Sequence, residues 1–256
     1  MIQRNSVPIL EFDPNPESLI EPSKLVERRN IPSHCVMVFF RDVLEALKRE
    51  GRLVEVASFV CETVELPVYE MEVEGRKFCI TQAFLGSAGI AGQLEELIAM
   101  GIEKFIVVGG AGVLRKDIAV GHLILPRSAI RDEGVSYHYL PPSREVDCPV
   151  GSFAILEREM KKTGIPYLSG KTWTTDAFYR ETRDKVDLRI EEGCLTVEME
   201  SAALFAVATF RKVSLAQILY GGDDVSGERW DHRSWQGRSE IRRNLCELAL
   251  RICLEL

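Results

Sequence analysis

Apolar residues in this chain fall into two patterns, and the two alternate. Lys104-Phe105-Ile106-Val107-Val108 is a continuous apolar run of the kind that forms a strand buried on both faces. Shorter or alternating runs predict further strands at His34–Phe40, His122–Leu125, Tyr167–Thr175 and Val213–Tyr220. Val68–Val73 and Lys77–Gln82 predict a hairpin turning at Glu74-Gly75. Helical periodicity marks Asp42–Arg49, ended by Gly51, and Gly86–Met100, closed by Gly101. It returns at Phe153–Lys162, Thr182–Glu192 and Ser239–Cys253. A short strand ending at Val197 runs into a further helix over Ala202–Ala208, mostly good helix formers with an apolar stripe. Arg131 falls in a predicted loop, and Tyr137–Pro149 is polar and Pro-rich.

Strand and helix alternate through most of the chain, which predicts one α/β domain with a mixed sheet covered on both faces. Residues 34–256 form that domain. Residues 1–33, punctuated by Pro8, Pro14, Pro16, Pro22 and Pro32, are expected to be an extended N-terminal arm over the body or a neighbour. Ligands of such sheets gather at the carboxyl ends of strands. Three informative stretches lie at predicted strand ends: Gly109-Gly110-Ala111-Gly112, Glu198-Met199-Glu200 and Asp223-Asp224.

Composition narrows the function. A net charge of -7 over 256 residues disfavours nucleic acid and anionic membrane surfaces as partners. No apolar run approaches the roughly 20 residues of a membrane span. Met1–Pro8 carries no apolar core of a secretory signal, so a cytoplasmic protein is expected. The seven cysteines are odd in number and hold no Cys-x-x-Cys, so they are expected to be reduced and largely buried. Four scattered histidines carry no metal signature, and no metal site is expected.

Each chemical stretch has a plainer reading beside it. The glycines after Val108 permit close approach of a ligand, but taken alone they are better explained by a tight turn; no Walker loop or good dinucleotide fingerprint is present. Asp223-Asp224 suits acid/base work or capping of a turn. Phe178-Tyr179 suits a stacking wall or core packing. Glu198 and Glu200 suit a site at a strand end, or the acidic first turn that a helix dipole favours. Nothing supports a nucleophilic triad. Ser226–Trp235, with two tryptophans and mixed charge, either closes over the site or is a solvated loop.

Taken together, these segments resemble the purine nucleoside and uridine phosphorylase family. The likeness rests on Gly101–Gly112, Val120–Leu125, Ile130–Ser136, Thr175–Tyr179, Val197–Ala203 and Asp223, in unbroken order from about Val68 to Asp224. It implies a three-layer α/β/α sandwich with a central mixed β-sheet, assembled as a homo-oligomer (dimer or hexamer). It implies a pentosyltransferase that cleaves the N-glycosidic bond of a nucleoside without a cofactor, with inorganic phosphate as co-substrate. Positive charge developing on the sugar calls for a carboxylate holding the ribose hydroxyls. By position that is Glu200, with Met199 on the sugar face and Glu198 toward the ribose or base. Phe178 would stack on the base, and Ala111 and Gly112 would let the base lie against the backbone. Asp223 would protonate the leaving base, which modestly favours purines; Asp224 competes for that role.

The likeness breaks in the phosphate half. The family's Gly-Asp-Pro-x-Arg loop corresponds to Phe39-Phe40-Arg41-Asp42, and the arginine and Ser/Thr of its glycine turn correspond to Val107 and Gly110. Three readings follow. A phosphorylase would recruit Arg41, Arg115, Arg131 or a neighbouring chain's arginine to phosphate, beside Gly110. A hydrolase would use water, with Asp42 near the activating position. A non-catalytic protein would only bind nucleosides.

Overall fold

A computed structural model describes residues 2–256. The arm holds a single 3₁₀ turn at Pro8–Leu10 and a short helix α1 (Pro22–Leu25). The body then runs β1 (His34–Val38), α2 (Arg41–Arg49), β2 (Val54–Val60), β3 (Glu65–Val73), β4 (Arg76–Gln82), α3 (Ser87–Met100), β5 (Lys104–Val113) and β6 (Leu123–Asp132). It continues with α4 (Ser136–Tyr139), β7 (Glu145–Asp147), α5 (Val150–Thr163), β8 (Tyr167–Thr175), a 3₁₀ turn at Phe178–Arg180 and α6 (Arg183–Glu191). The last elements are β9 (Cys194–Glu198), α7 (Ser201–Arg211), β10 (Ser214–Asp224), a 3₁₀ turn at Trp235–Gly237 and α8 (Ser239–Cys253).

The strands form one mixed sheet between two helical layers, as the family likeness implied. Helices α2, α5 and α8 pack on one side, and α3 and α7 on the other. The order β2-β3-β4-β1-β5 makes an open half. In the other half, β5 pairs with β10, β10 with β6, β6 with β8, β8 with β9, and β9 returns to β5. That half therefore closes on itself, which removes its free edges.

Several boundaries differ from the sequence reading. β2 was not expected; it joins β3 and β4 as the edge of a meander, where its half-exposed pattern gives only a weak apolar signal. Gly109–Gly112 are not a turn. They lie inside β5, because β10 pairs along its length and β9 takes up its last residues. Arg131 is in β6 rather than a loop, and Asp223 and Asp224 end β10 rather than follow it. The polar stretch 137–149 contains β7 and most of α4. All seven cysteines are free, and Cys61 alone is exposed.

Helix α7 has no solvent stripe over its first two turns. Ser201 through Ala208 are all fully buried, between α3 and the closed half of the sheet. A helix apolar all round belongs in a core, and its alanines are what allow the close packing. Ala206→Leu is therefore expected to destabilise the protein by about 1–3 kcal/mol through overpacking. Urea unfolding checks this: a midpoint equal to the parent's would show that the helix has an open face.

Candidate active site

The topology opens β5 at one place. On one edge β1 pairs with Lys104–Val108, its last pair being Val38 with Val108. On the same edge β9 enters from the opposite direction, pairing Val197 with Gly112. Among the described residues no strand pairs with Gly109, Gly110 and Ala111 on that edge. The carboxyl ends of β1 and β9 thus point at each other across a bare stretch of backbone. Gly112 sits where a Cβ would be 3.0 Å from Val197 and 3.7 Å from the Asp223 carboxylate. The aspartate carboxylate thus lies against the backbone of β5 at this position.

Glu198, Met199 and Glu200 form the turn from β9 into α7. Glu198 Oε2 accepts the backbone N–H groups of Glu200 and Ser201 at 2.7 and 2.6 Å. Its Oε1 accepts the Thr174 hydroxyl at 2.6 Å, and Thr174 Oγ1 in turn accepts the Ala202 N–H at 3.0 Å. Glu198 is thus a buried cap on α7, the plainer of its two readings. Glu200 is buried beside it and reaches across to α3. Its Oε1 accepts the N–H of Gly86 at 2.6 Å, and the Ser87 hydroxyl fixes the Met199 carbonyl at 2.7 Å. The positive ends of two helices, α3 and α7, converge on this carboxylate. A carboxylate accepts about four hydrogen bonds, so Glu200 keeps acceptor capacity for ligand hydroxyls. Burial raises both carboxyls above their ordinary range. For Glu200, burial and then the charge of Glu198 push it up to about 8.

The structure separates the two aspartates. Asp224 is buried and structural: it accepts the Ser226 N–H at 2.8 Å, pairs with Arg233 and bridges to Asp231. Asp223 turns toward Gly112, and its Oδ2 accepts the indole N–H of Trp230 at 2.6 Å. Of the pair, Asp223 is the one that faces β5, at Gly112, next to the bare stretch.

Phe178 and Tyr179 are not core residues. They are 48% and 88% exposed, and their rings lie 4.1 Å apart. Gly110 is covered by aromatic rings; a Cβ there would stand 3.2 Å from Tyr220 and 3.3 Å from Trp235. The tryptophan segment thus splits its roles: Trp235 packs on the strands, while Trp230 is largely exposed, bonded to Asp223 and edge-on to His232.

The arginines named from sequence are mostly committed elsewhere. Arg131 is buried among its own loop's acceptors: Ser136 at 2.8 Å, the Pro141 carbonyl and Ser143 at 2.7 Å each, and the Leu140 carbonyl at 3.2 Å. It anchors that loop instead of facing β5. Arg115 pairs with Asp117. Arg41 stands exposed at the start of α2, 3.4 Å from Glu45. Asp42 is not free either, since Arg242 of α8 binds it at 3.1 Å. That guanidinium, missed from sequence, also lies 5.5 Å over Phe40 and 5.6 Å over Trp235. A second missed residue is Glu181, after the 178–180 turn. Burial, then the charge of Asp223, pushes its carboxyl up to about 7 against the pull of Lys185. Neither residue sits in a motif, so only the fold could reveal them.

Residues 33–255 match the model of the phosphorylase superfamily. The guanosine phosphorylase of Halorubrum lacusprofundi is 26% identical over 91% of this chain and 96% of its own. The uridine phosphorylase of Treponema pallidum is 30% identical over 69% of this chain and 72% of its own. Among solved structures, the uridine phosphorylase of Vibrio fischeri ES114 superposes with a TM-score of 0.74 at 21% identity, covering 92% of this chain and 98% of that one. The chain belongs to the phosphorylase superfamily, and the expectation of a pentosyltransferase stands with it.

Two outcomes follow from the buried carboxylates. Gly86 holds φ at 85°, a conformation that strains any side chain. Gly86→Ala is expected to cost about 1–3 kcal/mol in a denaturant titration, displacing the N–H that Glu200 uses. Glu200 keeps its proton in the native state up to about 8 but loses it near 4.5 when unfolded. The native state then binds more protons across that window, so this residue's contribution to stability falls as pH rises through it. Glu200→Gln should flatten the fall in stability between those pH values; an unchanged slope would show that Glu200 ionises normally.

Proposed function

We propose that this protein cleaves the N-glycosidic bond of a ribonucleoside by phosphorolysis, releasing free base and ribose 1-phosphate, with purine nucleosides the preferred substrates. The observation that carries this reading is the bare stretch of β5 flanked by Glu200 and Asp223. Glu200 is a preformed acceptor for the 2′- and 3′-hydroxyls. It holds the ribose and, in its ionised form, offsets the positive charge that grows on the ring as the base departs. Met199 packs on the sugar, and Glu198 acts at one remove by holding the turn. The base lies against Ala111 and Gly112 under Phe178, and Asp223 faces its leaving edge. Phosphate enters from the end of β1, where Arg41, Arg242 and the backbone of Gly110 are the nearest groups. We place the enzyme in the cytoplasm as a homo-oligomer. Hydrolysis is kept as a second reading for one reason: Arg115 and Arg131 have other partners, and Trp235 covers Gly110.

Incubation with a nucleoside panel, with and without phosphate, decides between these by the free base released. Release that requires phosphate is the expected result, and equal release without it would establish hydrolysis. Glu200→Ala and Asp223→Ala are each expected to lower kcat by roughly tenfold or more. Parent-level turnover in both variants would remove these residues from the site.

A further inference from the structure

Between helix α6 and the loop after β6 lies a cleft of about 490 Å³. Arg131, Arg144 and Arg189 line it together with Asp132, and Tyr137 and the arm residue Leu10 add apolar surface. A cavity of this size suits a small organic molecule. The cleft shares no lining residue with the bare stretch of β5 or with the carboxylate turn. Arg131 pairs with Thr174, and Thr174 with Glu198, so the two places are two strand pairings apart.

The three guanidinium groups have more charge and more donors than their partners use. Arg131 is buried, and its hydrogen bonds all go to neutral acceptors: the hydroxyls of Ser136 and Ser143 and the carbonyls of Leu140 and Pro141. Glu133 meets it only through the Ser136 hydroxyl, and Glu133 is itself taken by the N–H groups of Val135 and Ser136. The donors of Arg131 are largely spent, but its charge is not. Arg189 is buried too, 5.3 Å over the ring of Trp173. Among the described residues it makes one hydrogen bond, from Nη1 to Glu192 at 2.6 Å. Its Nη2 stands 3.7 Å from Asp132, and its Nε is buried with no partner. Native interiors seldom leave such a donor unmet. Arg144, on the open side, holds Glu192 through its Nε at 2.7 Å, and its Nη groups bond to no described residue.

The walls therefore carry three guanidinium groups against one carboxylate, an excess of two positive charges. Behind them, Glu192 is balanced by Lys185, which bonds Asp132 at 3.1 Å. A phosphate monoester carries about 1.5–2 negative charges at pH 7 and presents three acceptor oxygens. Guanidinium groups suit such an ion better than any other side chain, because their forks match its oxygens. A carboxylate ligand would leave about half of the excess unanswered.

We propose that this cleft binds a small organic phosphate monoester, with its phosphate among Arg131, Arg144 and Arg189 and its remainder against Leu10 and Tyr137. The site is separate from the nucleoside-cleaving reading and does not depend on it.

The indole N–H of Trp173 reports on the cleft and not on β5, since it donates to Asp132 at 3.0 Å and lies under Arg189. Its NMR resonance is followed while ribose 5-phosphate or guanosine 5′-monophosphate is added, with inorganic phosphate and guanosine as controls. A saturable shift with at least one monoester is expected, and the tighter of the two identifies the remainder that fits. Arg189→Ala and Arg144→Glu are each expected to weaken that binding by about tenfold or more, in line with charge-assisted hydrogen bonds. Arg144 is exposed, so its variant tests the site even where Arg189→Ala fails to fold. Glu200→Ala is expected to leave the binding unchanged. No saturable shift with either monoester, or a shift indifferent to Arg144→Glu, would overturn the site. Loss of the shift in Glu200→Ala would assign the ligand to the carboxylate turn and overturn it as well. Inorganic phosphate binding as tightly as the monoesters would overturn the organic ligand, and an equal response to guanosine would overturn the role of the charge.

Discussion

β5 has more neighbours than one strand can serve along its full length, and the site exists because two of them share an edge. β1 runs parallel to it and ends at Val38; β9 runs antiparallel and ends at Glu198. The backbone between these two ends keeps its polar groups facing a space that no strand fills. Any buried N–H or C=O needs a partner, so this stretch is a natural place for a ligand. The same arrangement puts the chain's two most chemical turns, Phe39–Asp42 and Glu198–Glu200, on opposite sides of that space. The closed half of the sheet holds β10 against the other edge of β5, which brings Asp223 opposite Gly112.

Glu198 and Glu200 then divide a single problem between them. Each is buried, and burial alone opposes a carboxylate's charge. Glu198 answers with three short hydrogen bonds, two from the start of α7 and one from Thr174. Its acceptors are mostly used, and its effect is to hold the helix and the turn. Glu200 receives the Gly86 N–H from a second helix and keeps lone pairs in reserve. An acceptor aligned in advance and poorly hydrated responds strongly to hydroxyl donors and to developing positive charge, which is the physical content of preorganisation.

The end of β1 follows a different logic. Val107 and Gly110 carry no donor side chain, and Arg131 is consumed by the loop after β6. What stands at the end of β1 instead is an arginine from the last helix, stacked between Phe40 and Trp235 and tied to Asp42 and Tyr220. An arginine placed this way is rigid and partly dry, two properties that raise the value of a cation to a phosphate.

The sequence by itself determined the alternation of strands and helices, the position of the glycine window and the carboxylate turn, and the family that carries them. Those features are local: apolar runs, helix starts and fixed spacings are written in neighbouring residues. It also named Asp223, although not its distinction from Asp224, since adjacent residues look alike until a bulged strand end turns one inward and the other toward Arg233. Tertiary structure alone decided that Gly109–Gly112 are strand and not turn, because the pairing comes from β9 and β10, far along the chain. It alone spent Arg131 on its own loop and brought Arg242 to Asp42 across 200 positions. Charge and hydrogen-bonding capacity are properties of a residue type; which of them remain unspent depends on partners that only the folded chain brings together.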